Sequence, residues 1–166
     1  MIRRFASTLR ESVNARSAWE KSCYHKIDFT IKDSATVYEA IQKFTAYDIG
    51  CLAVKNKDNK VIGVVTERDY VHKVALLDKP KTTLVSEICT FEPNVRTSSV
   101  DDSIYHCMNK ILDNNVRHLL IVDNNEKNVV GLLSIKDLVK EVVSQKDSLI
   151  RNLANLRTGE GSFYEK

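Results

Sequence analysis

The apolar residues of the chain follow two periodicities that alternate twice. Around residues 36–44 and again around 103–112 they recur every three or four positions, which predicts amphipathic helices. The two stripes are Val37, Ala40, Ile41 and Phe44, and Ile104, Cys107, Met108, Ile111 and Leu112. Each stripe is followed by two short apolar runs joined by a polar turn, at 52–54 and 61–65 and at 119–122 and 129–133. The pattern predicts helix, strand, strand and helix, in that order, twice.

This alternation is an internal repeat. The copies are TVYEAIQKFTAYDIGCLAV (Thr36–Val54) with KVIGVVTERDYVHKV (Lys60–Val74), and SIYHCMNKILDNNVRHLLIV (Ser103–Val122) with NVVGLLSIKDLVKEV (Asn128–Val142). Thr36 matches Ser103 at a spacing of 67, and Gly63 matches Gly131 at a spacing of 68. A repeat of this length that occurs only twice predicts two similar halves packed together.

Shorter elements complete each copy. An alternating strand at Ile27–Phe29–Ile31 precedes the first helix, and Val95 marks its shorter equivalent before the second. The linker KPKTT (Lys79–Thr83) is followed by a helical turn at Leu84–Cys89. A final helix is predicted from about Ile135 to Leu156, followed by a polar tail.

Composition indicates an ordinary soluble globular protein. The chain has 166 residues, 43% hydrophobic and 28% charged, with 5 glycines and 2 prolines. A chain of this length buries enough surface to fold without a metal or a disulfide. The longest apolar runs fall well short of the roughly 20 residues that span a bilayer, so we expect no membrane span.

The net charge of +3 lies wholly in the first 18 residues, which hold four arginines and one glutamate. The rest of the chain is neutral, which argues against a nucleic-acid partner. Ile2, Phe5, Leu9 and Val13 form one apolar stripe among the arginines, as in a mitochondrial transit peptide. We therefore expect residues 1–26 to be a leader that directs the chain to the mitochondrial matrix. The alternatives are a frayed helix or a disordered arm in a cytoplasmic protein.

The cysteines and histidines are scattered, and none forms a pair with metal-ligand or redox spacing. Cys51 and Cys107 lie on a predicted strand and a predicted helix, so we expect both in the core. Cys89 is the cysteine that we expect to be exposed. We find no nucleophile–base pair, no metal-ligand set and no phosphate-cradling glycine loop. We therefore expect no catalytic residues, no metal and no enzyme activity.

The heptapeptides GVVTERD (Gly63–Asp69) and GLLSIKD (Gly131–Asp137) each end a strand and open a helix. The hydroxyl of Thr66 or Ser134 and the carboxylate three residues later fit a capping box. Capping alone does not explain the glycine that precedes the cap by three residues in both copies. A glycine inside a strand often marks the close approach of a ligand or of another backbone.

Two such copies, each ending in Gly-apolar-apolar-Thr/Ser-x-x-Asp, resemble a pair of cystathionine β-synthase (CBS) domains. The similarity covers residues 27–145, and the whole layout is similar to the short mitochondrial plant proteins made of one such pair. The resemblance implies an α/β (α+β) fold of two β-α-β-β-α repeats, related by a pseudo-two-fold axis and packed sheet to sheet. It places the domains at 27–78 and 91–146, with a linker at 79–90 and a helix end and polar tail at 147–166.

The same resemblance implies a set of nucleotide-binding residues. Hydroxyls would bind phosphate, carboxylates would accept hydrogen bonds from the ribose, and the residues flanking the glycines would lie against adenine. Cations would complete the phosphate site, beside a helix N-terminus that itself suits an anion. By position these residues are Val64, Thr66, Arg68, Asp69, Arg117, His118, Leu132, Ser134 and Asp137.

The two clefts are expected to be unequal. The positions in the first copy that match Arg117 and His118 are Gly50 and Cys51, which carry no charge. Lys136 stands where the first copy has Arg68, and it lacks the planar fork that grips phosphate. We therefore expect the nucleotide in the cleft reached by Thr66, Asp69 and Arg68, helped by Arg117 and His118. The other cleft is expected to stay empty or to accept only a nucleoside-like ligand.

The leading hypothesis is a regulatory module without a catalytic cofactor. It would bind AMP, ADP or ATP and thereby modulate a partner protein. The resemblance suggests a homodimer and a thioredoxin-like or respiratory-chain partner. The alternative is a dimerisation or interaction scaffold that binds no ligand, in which the heptapeptides only cap helices.

Overall fold

A computed structural model of the chain describes residues 14–124 and 128–158, with side chains as far as residue 151. Residues 1–13, the first half of the expected leader, and the tail from 159 onward lie outside the described residues, whereas residues 14–26, the second half of that leader, are part of the fold. The helices and strands are, in chain order, α1 (Ala15–Glu20), β1 (Thr30–Lys32), α2 (Val37–Tyr47), β2 (Cys51–Lys55), β3 (Val61–Thr66), α3 (Glu67–Tyr70), β4 (Thr90–Phe91), β5 (Thr97–Ser99), α4 (Ile104–Asp113), β6 (His118–Val122), β7 (Val129–Ser134) and α5 (Ile135–Thr158).

The two copies fold alike, and the predicted β-α-β-β-α order is confirmed. The first sheet has the strand order β1-β2-β3-β4 and the second has the order β5-β6-β7. In each, the first strand pairs parallel with the second, and the second pairs antiparallel with the third. The register places Cys51 opposite Thr66 and His118 opposite Ser134. The two repeated hydroxyls therefore stand at equivalent corners.

Local signals in the sequence set the helix ends. Thr36 begins α2 with a complete capping box, in which Glu39 Oε2 accepts from the Thr36 amide at 2.7 Å. Ser103 begins α4 by accepting a hydrogen bond from the His106 amide at 3.2 Å. Such caps satisfy amides that have no partner inside the helix. Both helices are followed by a residue in the left-handed region, Asp48 and Asn115, with φ near 50°.

Each sheet is covered by a segment that lies outside its own copy. The turn at 84–89, which contains the 3₁₀ helix Val85–Glu87, covers the first repeat, and the Val85 amide donates to the Ala35 carbonyl at 2.8 Å. α1 covers the second repeat, where the Ala15 amide donates to the Asp102 carbonyl, also at 2.8 Å. Ala35 and Asp102 match at the repeat spacing of 67. The coverage therefore follows the pseudo-symmetry, although the covering sequences differ.

The core is shared between the two copies. Leu120 and Leu132 of the second sheet belong to the same buried cluster as Ala53, Val54 and Val65 of the first. The sheets therefore pack face to face, as the resemblance implies. A second cluster under α1 and α4 is built around Ile104, Ile111, Leu119, Ile121, Leu133 and Leu138.

The strand expected at Val95 is wrong, because β5 begins two residues later, at Thr97. Its inward residue is Ser98, only 1% exposed, whose hydroxyl donates to Asp102 Oδ2 at 2.6 Å. Because the buried residue of this strand is a hydrogen-bonded serine, the sequence shows no alternation of apolar and polar residues there. The strand before α2 is also shorter than Ile27–Ile31 and covers Thr30–Lys32. The other expected strands and the final helix are confirmed within one or two residues at each end.

The strand glycines mark close approaches, as expected. At Gly63 a Cβ would collide with the Thr90 carbonyl oxygen of β4, so here the approach is that of another backbone. At Gly131 it would lie 2.5 Å from the Trp19 indole nitrogen, so a side chain occupies the space. A side chain was not one of the expected causes.

We predict that Gly63→Ala lowers the free energy of unfolding by about 1–3 kcal/mol, because β4 must move away from the new methyl group. Denaturant unfolding of both proteins measures the difference. Gly50→Ala is the matched control: its Cβ would press only on the movable end of the exposed Glu67 side chain, at 3.0 Å, and would make an ordinary contact with the His118 ring at 3.8 Å. Equal losses in the two variants would contradict this explanation of Gly63.

Candidate functional site

The corner between β3 and α3 is a capping box built from Thr66 and Asp69. Asp69 Oδ2 accepts from the Thr66 amide at 3.0 Å and from its hydroxyl at 2.6 Å, and the Asp69 amide donates to Thr66 Oγ1 at 3.2 Å. The other oxygen, Oδ1, forms an ion pair with Lys73 Nζ at 2.7 Å. Since a carboxylate accepts about four hydrogen bonds, Asp69 keeps room for a further donor. The capping interpretation is therefore confirmed and leaves a second role open.

The matching corner of the second repeat has the same bonds. Asp137 Oδ2 accepts from the Ser134 amide at 3.0 Å and from its hydroxyl at 2.5 Å, and the Asp137 amide donates to Ser134 Oγ at 3.2 Å. Asp137 is buried, with 6% of the residue exposed, whereas Asp69 is only partly buried. The corners thus agree in geometry and differ in their access to solvent.

A cleft of about 200 Å³ opens beside the first corner. It brings together seven of the nine nucleotide-binding residues expected from the sequence, and Ser134 and Asp137 are not among its lining residues. The seven are Val64, Thr66, Arg68, Asp69, Arg117, His118 and Leu132. Because Val64 belongs to the first repeat and Leu132 to the second, apolar side chains of both repeats line the same cleft.

Arg96 was missed by the sequence reasoning and also lines this cleft. Its Nε donates to Asn114 Oδ1 at 2.6 Å and its Nη1 to the Pro93 carbonyl at 3.1 Å. These bonds fix the guanidinium beside Arg68 and Arg117, so three arginines face one cleft. The signal available in the sequence was a lone arginine just before a strand that carries no apolar pattern.

Helix N-terminal amides contribute less to anion binding here than the sequence suggested. The Glu67 amide donates to the Gly50 carbonyl at 3.2 Å, and the Ile135 amide donates to the Arg117 carbonyl at 2.9 Å. With the Asp69 and Asp137 amides already bonded to their caps, an anion would rely on the arginine side chains. Guanidinium groups bind phosphate through paired, charge-assisted hydrogen bonds.

His118 lies in the wall of the cleft and is held neutral. Burial, reinforced by the charge of Arg117, lowers the pKa of His118 from 6.5 to about 4. Its ring contacts the edge of Tyr24, with 6.2 Å between ring centroids and 84° between planes. His118 therefore has the open cleft on one side and a buried aromatic residue on another.

The exposure expected for Cys89 is wrong, since Cys89 is 8% exposed and Cys23 is the exposed thiol among the four. Burial raises the pKa of Cys89 to about 11, because Ile88 and the segment around it pack into the first core. The expected burial of Cys51 and Cys107 is confirmed. Among the residues described, no three His, Cys, Asp or Glu side chains gather in a way that could hold a metal ion.

A larger hollow runs along the outer face of α5, but it differs from the cleft in one respect. All its lining residues come from that single helix, including Val139, Val143 and Asp147. Ligand sites bring polar groups from several elements onto one point, which the cleft beside Thr66 does and this hollow does not. In the part of the chain that the structure describes, no helix is long and apolar enough to cross a membrane.

Comparison with known proteins agrees with this architecture. The family model for the CBS domain matches residues 25–76 and 85–144. The chain belongs to the CBS domain family. It carries the domain twice, so it is a CBS pair, and the resemblance found in the sequence is confirmed.

Three relatives show how far the likeness extends. The Arabidopsis thaliana protein "CBS domain-containing protein CBSX3, mitochondrial" is 30% identical over 71% of this chain and 58% of its own length. The structure of a protein with CBS domains from Burkholderia ambifaria has a TM-score of 0.71 at 31% identity, covering 80% of this chain and 95% of that one. A CBS domain protein of Pyrobaculum aerophilum, solved in complex with AMP, has a TM-score of 0.66 at 19% identity and covers 80% and 99%.

These matches establish the fold and the family of the CBS pair. At 19% identity the archaeal structure shares the fold alone, and its AMP is a property of that protein. The chain spans little more than half the length of the Arabidopsis relative. The activity of that relative is therefore not transferred to this chain.

The pKa of His118 generates a prediction about stability. Because the folded pKa of about 4 lies below 6.5, the unfolded chain binds the proton first as pH falls. The free energy of unfolding should therefore decline by about 2–3 kcal/mol between pH 6.5 and 4, at 1.36 kcal/mol per pKa unit. Urea unfolding across this range should show a shallower decline in His118→Gln. His72→Gln, at an exposed position, should keep the slope of the unsubstituted protein. Identical slopes in the two variants would refute the assignment to His118.

Proposed function

We propose that this CBS pair is a regulatory module that binds an adenosine nucleotide in the cleft beside Thr66 and thereby modulates a partner protein. The observation that carries the proposal is the convergence on one cleft of the Asp69 carboxylate, three arginines and apolar side chains from both repeats. Val64 is partly exposed and offers an apolar surface to a purine, and the buried Leu132 supports the cleft wall from the other repeat. The carboxylate suits a ribose hydroxyl donor, and the arginines suit a phosphate.

The size of the cleft favours a small nucleotide. Its volume of about 200 Å³ is below the roughly 300–1,000 Å³ of sites that enclose a whole drug-sized ligand. We infer that the base and ribose are enclosed and that the phosphate end lies toward Arg68, Arg96 and Arg117. AMP is therefore the first ligand to test, and ADP and ATP would extend further toward solvent.

Binding alone does not make a sensor. A ligand shifts a conformational equilibrium only by its different affinity for the two arrangements. The cleft is lined by both repeats, with Val64 and Asp69 on one side and Leu132, Arg117 and His118 on the other. A nucleotide that contacts both walls would favour the arrangement in which the two repeats are held together. In this proposal the module performs no chemistry itself.

The alternative is an interaction scaffold without a ligand. It is favoured by the fact that Asp69 already caps α3 and pairs with Lys73. It is also favoured by apolar side chains that remain exposed along α5, with Val143 at 51% and Ile150 at 63%. In this alternative the heptapeptides serve the fold alone, and nucleotides leave the melting temperature unchanged.

We further propose a homodimer in the mitochondrial matrix, with a thioredoxin-like or respiratory-chain protein as partner. The leader and the mitochondrial Arabidopsis relative support the compartment. The exposed apolar side chains of α4 and α5 support self-association, Leu112 among them at 67%. Fusing residues 1–26 to a fluorescent reporter tests the compartment, and a diffuse cytosolic signal would count against it. Light scattering tests the dimer, and a monomeric mass would reject it.

We predict that AMP at 100 times its dissociation constant raises the melting temperature by roughly 5–10 °C. Such a ligand adds about 2.7 kcal/mol to folded-state stability, and 1 kcal/mol shifts a domain of this size by about 2–4 °C. Asp69→Ala should abolish the shift, because it removes the carboxylate from the cleft. Differential scanning fluorimetry measures both values.

Asp137→Ala is the matched control for this experiment. It destroys an equivalent capping box and should therefore lower the melting temperature without AMP by a similar amount. Because Asp137 does not line the open cleft, its shift with AMP should persist. Flat melting curves with AMP, ADP and ATP would favour the scaffold, and equal loss of the shift in both variants would contradict the choice of cleft.

A further inference from the structure

A buried aromatic side chain from the segment before the first repeat lies close to the Ser134–Asp137 corner of the second repeat. Tyr24 lies in the 3₁₀ turn Cys23–Lys26 and is 2% exposed. Its ring and that of His118 meet edge to face, and the Gly50 amide lies close enough to its hydroxyl to act on the phenol. Cys51 and Asp137 are close enough to act electrostatically on the phenol, whose pKa is raised mainly by burial.

These neighbours are the counterparts of the residues that line the open cleft. At the repeat spacings of 67 and 68, Gly50 matches Arg117, Cys51 matches His118, and Asp137 matches Asp69. Arg117, His118 and Asp69 all line the open cleft. Tyr24 therefore stands where the pseudo-symmetry places a second ligand.

The segment that carries Tyr24, residues 14–26, is held firmly; we call it the strap. On one side of the tyrosine, Lys21 Nζ lies 2.9 Å from both carboxylate oxygens of Glu141, whose side chain is only 7% exposed. Trp19 packs its indole onto Gly131 and stacks edge-on against His25, with 4.7 Å between ring centroids. Displacing Tyr24 would require these contacts to break as well.

The covering segment of the first repeat runs differently. The Ala15 and Val85 amides donate to equivalent carbonyls of the two repeats, so the strap and the first-repeat covering segment correspond at a spacing of 70 residues. After residue 89, the first-repeat segment forms β4 and pairs with β3 through backbone hydrogen bonds. Counted at the same spacing, Tyr24 corresponds to Asn94, a smaller side chain that lines the open cleft.

We propose that Tyr24 is a built-in occupant of the second cleft and that each chain therefore has a single nucleotide site. This inference rests on the function proposed for the open cleft. It explains the unequal clefts by steric exclusion and no longer by the missing charges of the second cleft. A ligand is kept from Ser134 and Asp137 because a phenol fills the space beside them. Removing the ring would open a second site. In that site AMP would bind no better than adenosine, because Gly50 stands where the open cleft has Arg117.

Isothermal titration calorimetry on the full chain, with AMP and with adenosine, tests the proposal. The unsubstituted protein should bind one AMP per chain, and Asp69→Ala should bind none. Tyr24→Ala should bind two adenosines per chain, and the additional site should disappear in Tyr24→Ala/Asp137→Ala. Tyr24→Phe is the matched control, because it keeps the ring and should stay at one. Far-UV circular dichroism and the fluorescence of Trp19, the single tryptophan, report whether each variant is folded.

The outcomes separate this proposal from the proposed function. Two AMP per unsubstituted chain would overturn the built-in occupant, and that result needs no variant to fold. A folded Tyr24→Ala with a single site would overturn it as well. No binding by the unsubstituted protein would reject the function proposed for the open cleft. In that case, binding of one adenosine per Tyr24→Ala chain, lost in Tyr24→Ala/Asp137→Ala, would still support Tyr24 as the built-in occupant. Failure of Tyr24→Ala to bind adenosine would reject it.

Discussion

At two strand glycines, Gly63 and Gly131, the chain that covers each sheet comes so close that a Cβ atom would collide with it, and the way each sheet is covered follows from this close approach. Each sheet is covered by a segment from outside its own repeat, and that segment passes within contact distance of Gly63 or Gly131. At Gly63 the covering chain is backbone and becomes a fourth strand, β4. At Gly131 it is the indole of Trp19, and no fourth strand pairs with β7 among the residues described. Two repeats with the same strand order are thus covered in two different ways.

This difference explains how a symmetric pair acquires unequal clefts. Where β4 covers the sheet, the chain continues through Asn94 to Arg96, and a cleft with three arginines stays open. Where α1 covers it, the chain continues into the turn that buries Tyr24. The asymmetry therefore arises in the segments between and before the repeats more than in the repeated heptapeptides. Inside the heptapeptides, the hydroxyls and carboxylates make the same bonds in both copies.

The same residues serve the fold and the candidate site. Asp69 caps α3 whether or not a ligand is present, so its loss destabilises the protein as well as any complex. A capping interaction contributes typically about 1 kcal/mol, and a ligand at high saturation adds more. Measurements at this site are therefore interpretable only against a variant that loses the cap alone, which the duplicated corner provides in Asp137.

Much of the fold could be predicted from the sequence, because its signals are local. The helix stripes, the capping residues and the short strands follow from periodicity and side-chain chemistry, and the duplication shows which elements correspond. The failures occurred where tertiary contacts decide. β5 was misplaced because its buried residue is the hydrogen-bonded Ser98, and Cys89 is buried because its segment covers the other sheet.

The candidate site was predictable in part, for the same reason. Its repeated members were found from the heptapeptides, whereas Arg96 and Tyr24 lie in segments that have no repeated pattern to mark them. Their roles depend on the path of the chain after Thr90, which contacts Gly63, and after Trp19, which contacts Gly131. The sequence indicated unequal clefts because one cleft lacks cationic side chains. The structure adds that the Tyr24 ring is buried beside the second corner, which composition does not reveal.

A crystal structure of the full chain grown with saturating AMP would show which cleft the nucleotide occupies. We expect one nucleotide per chain, with its ribose hydroxyls on Asp69, its phosphate among the three arginines, and the Tyr24 ring in place against His118. A nucleotide beside Ser134 and Asp137, with Tyr24 swung out of the second cleft, would contradict it.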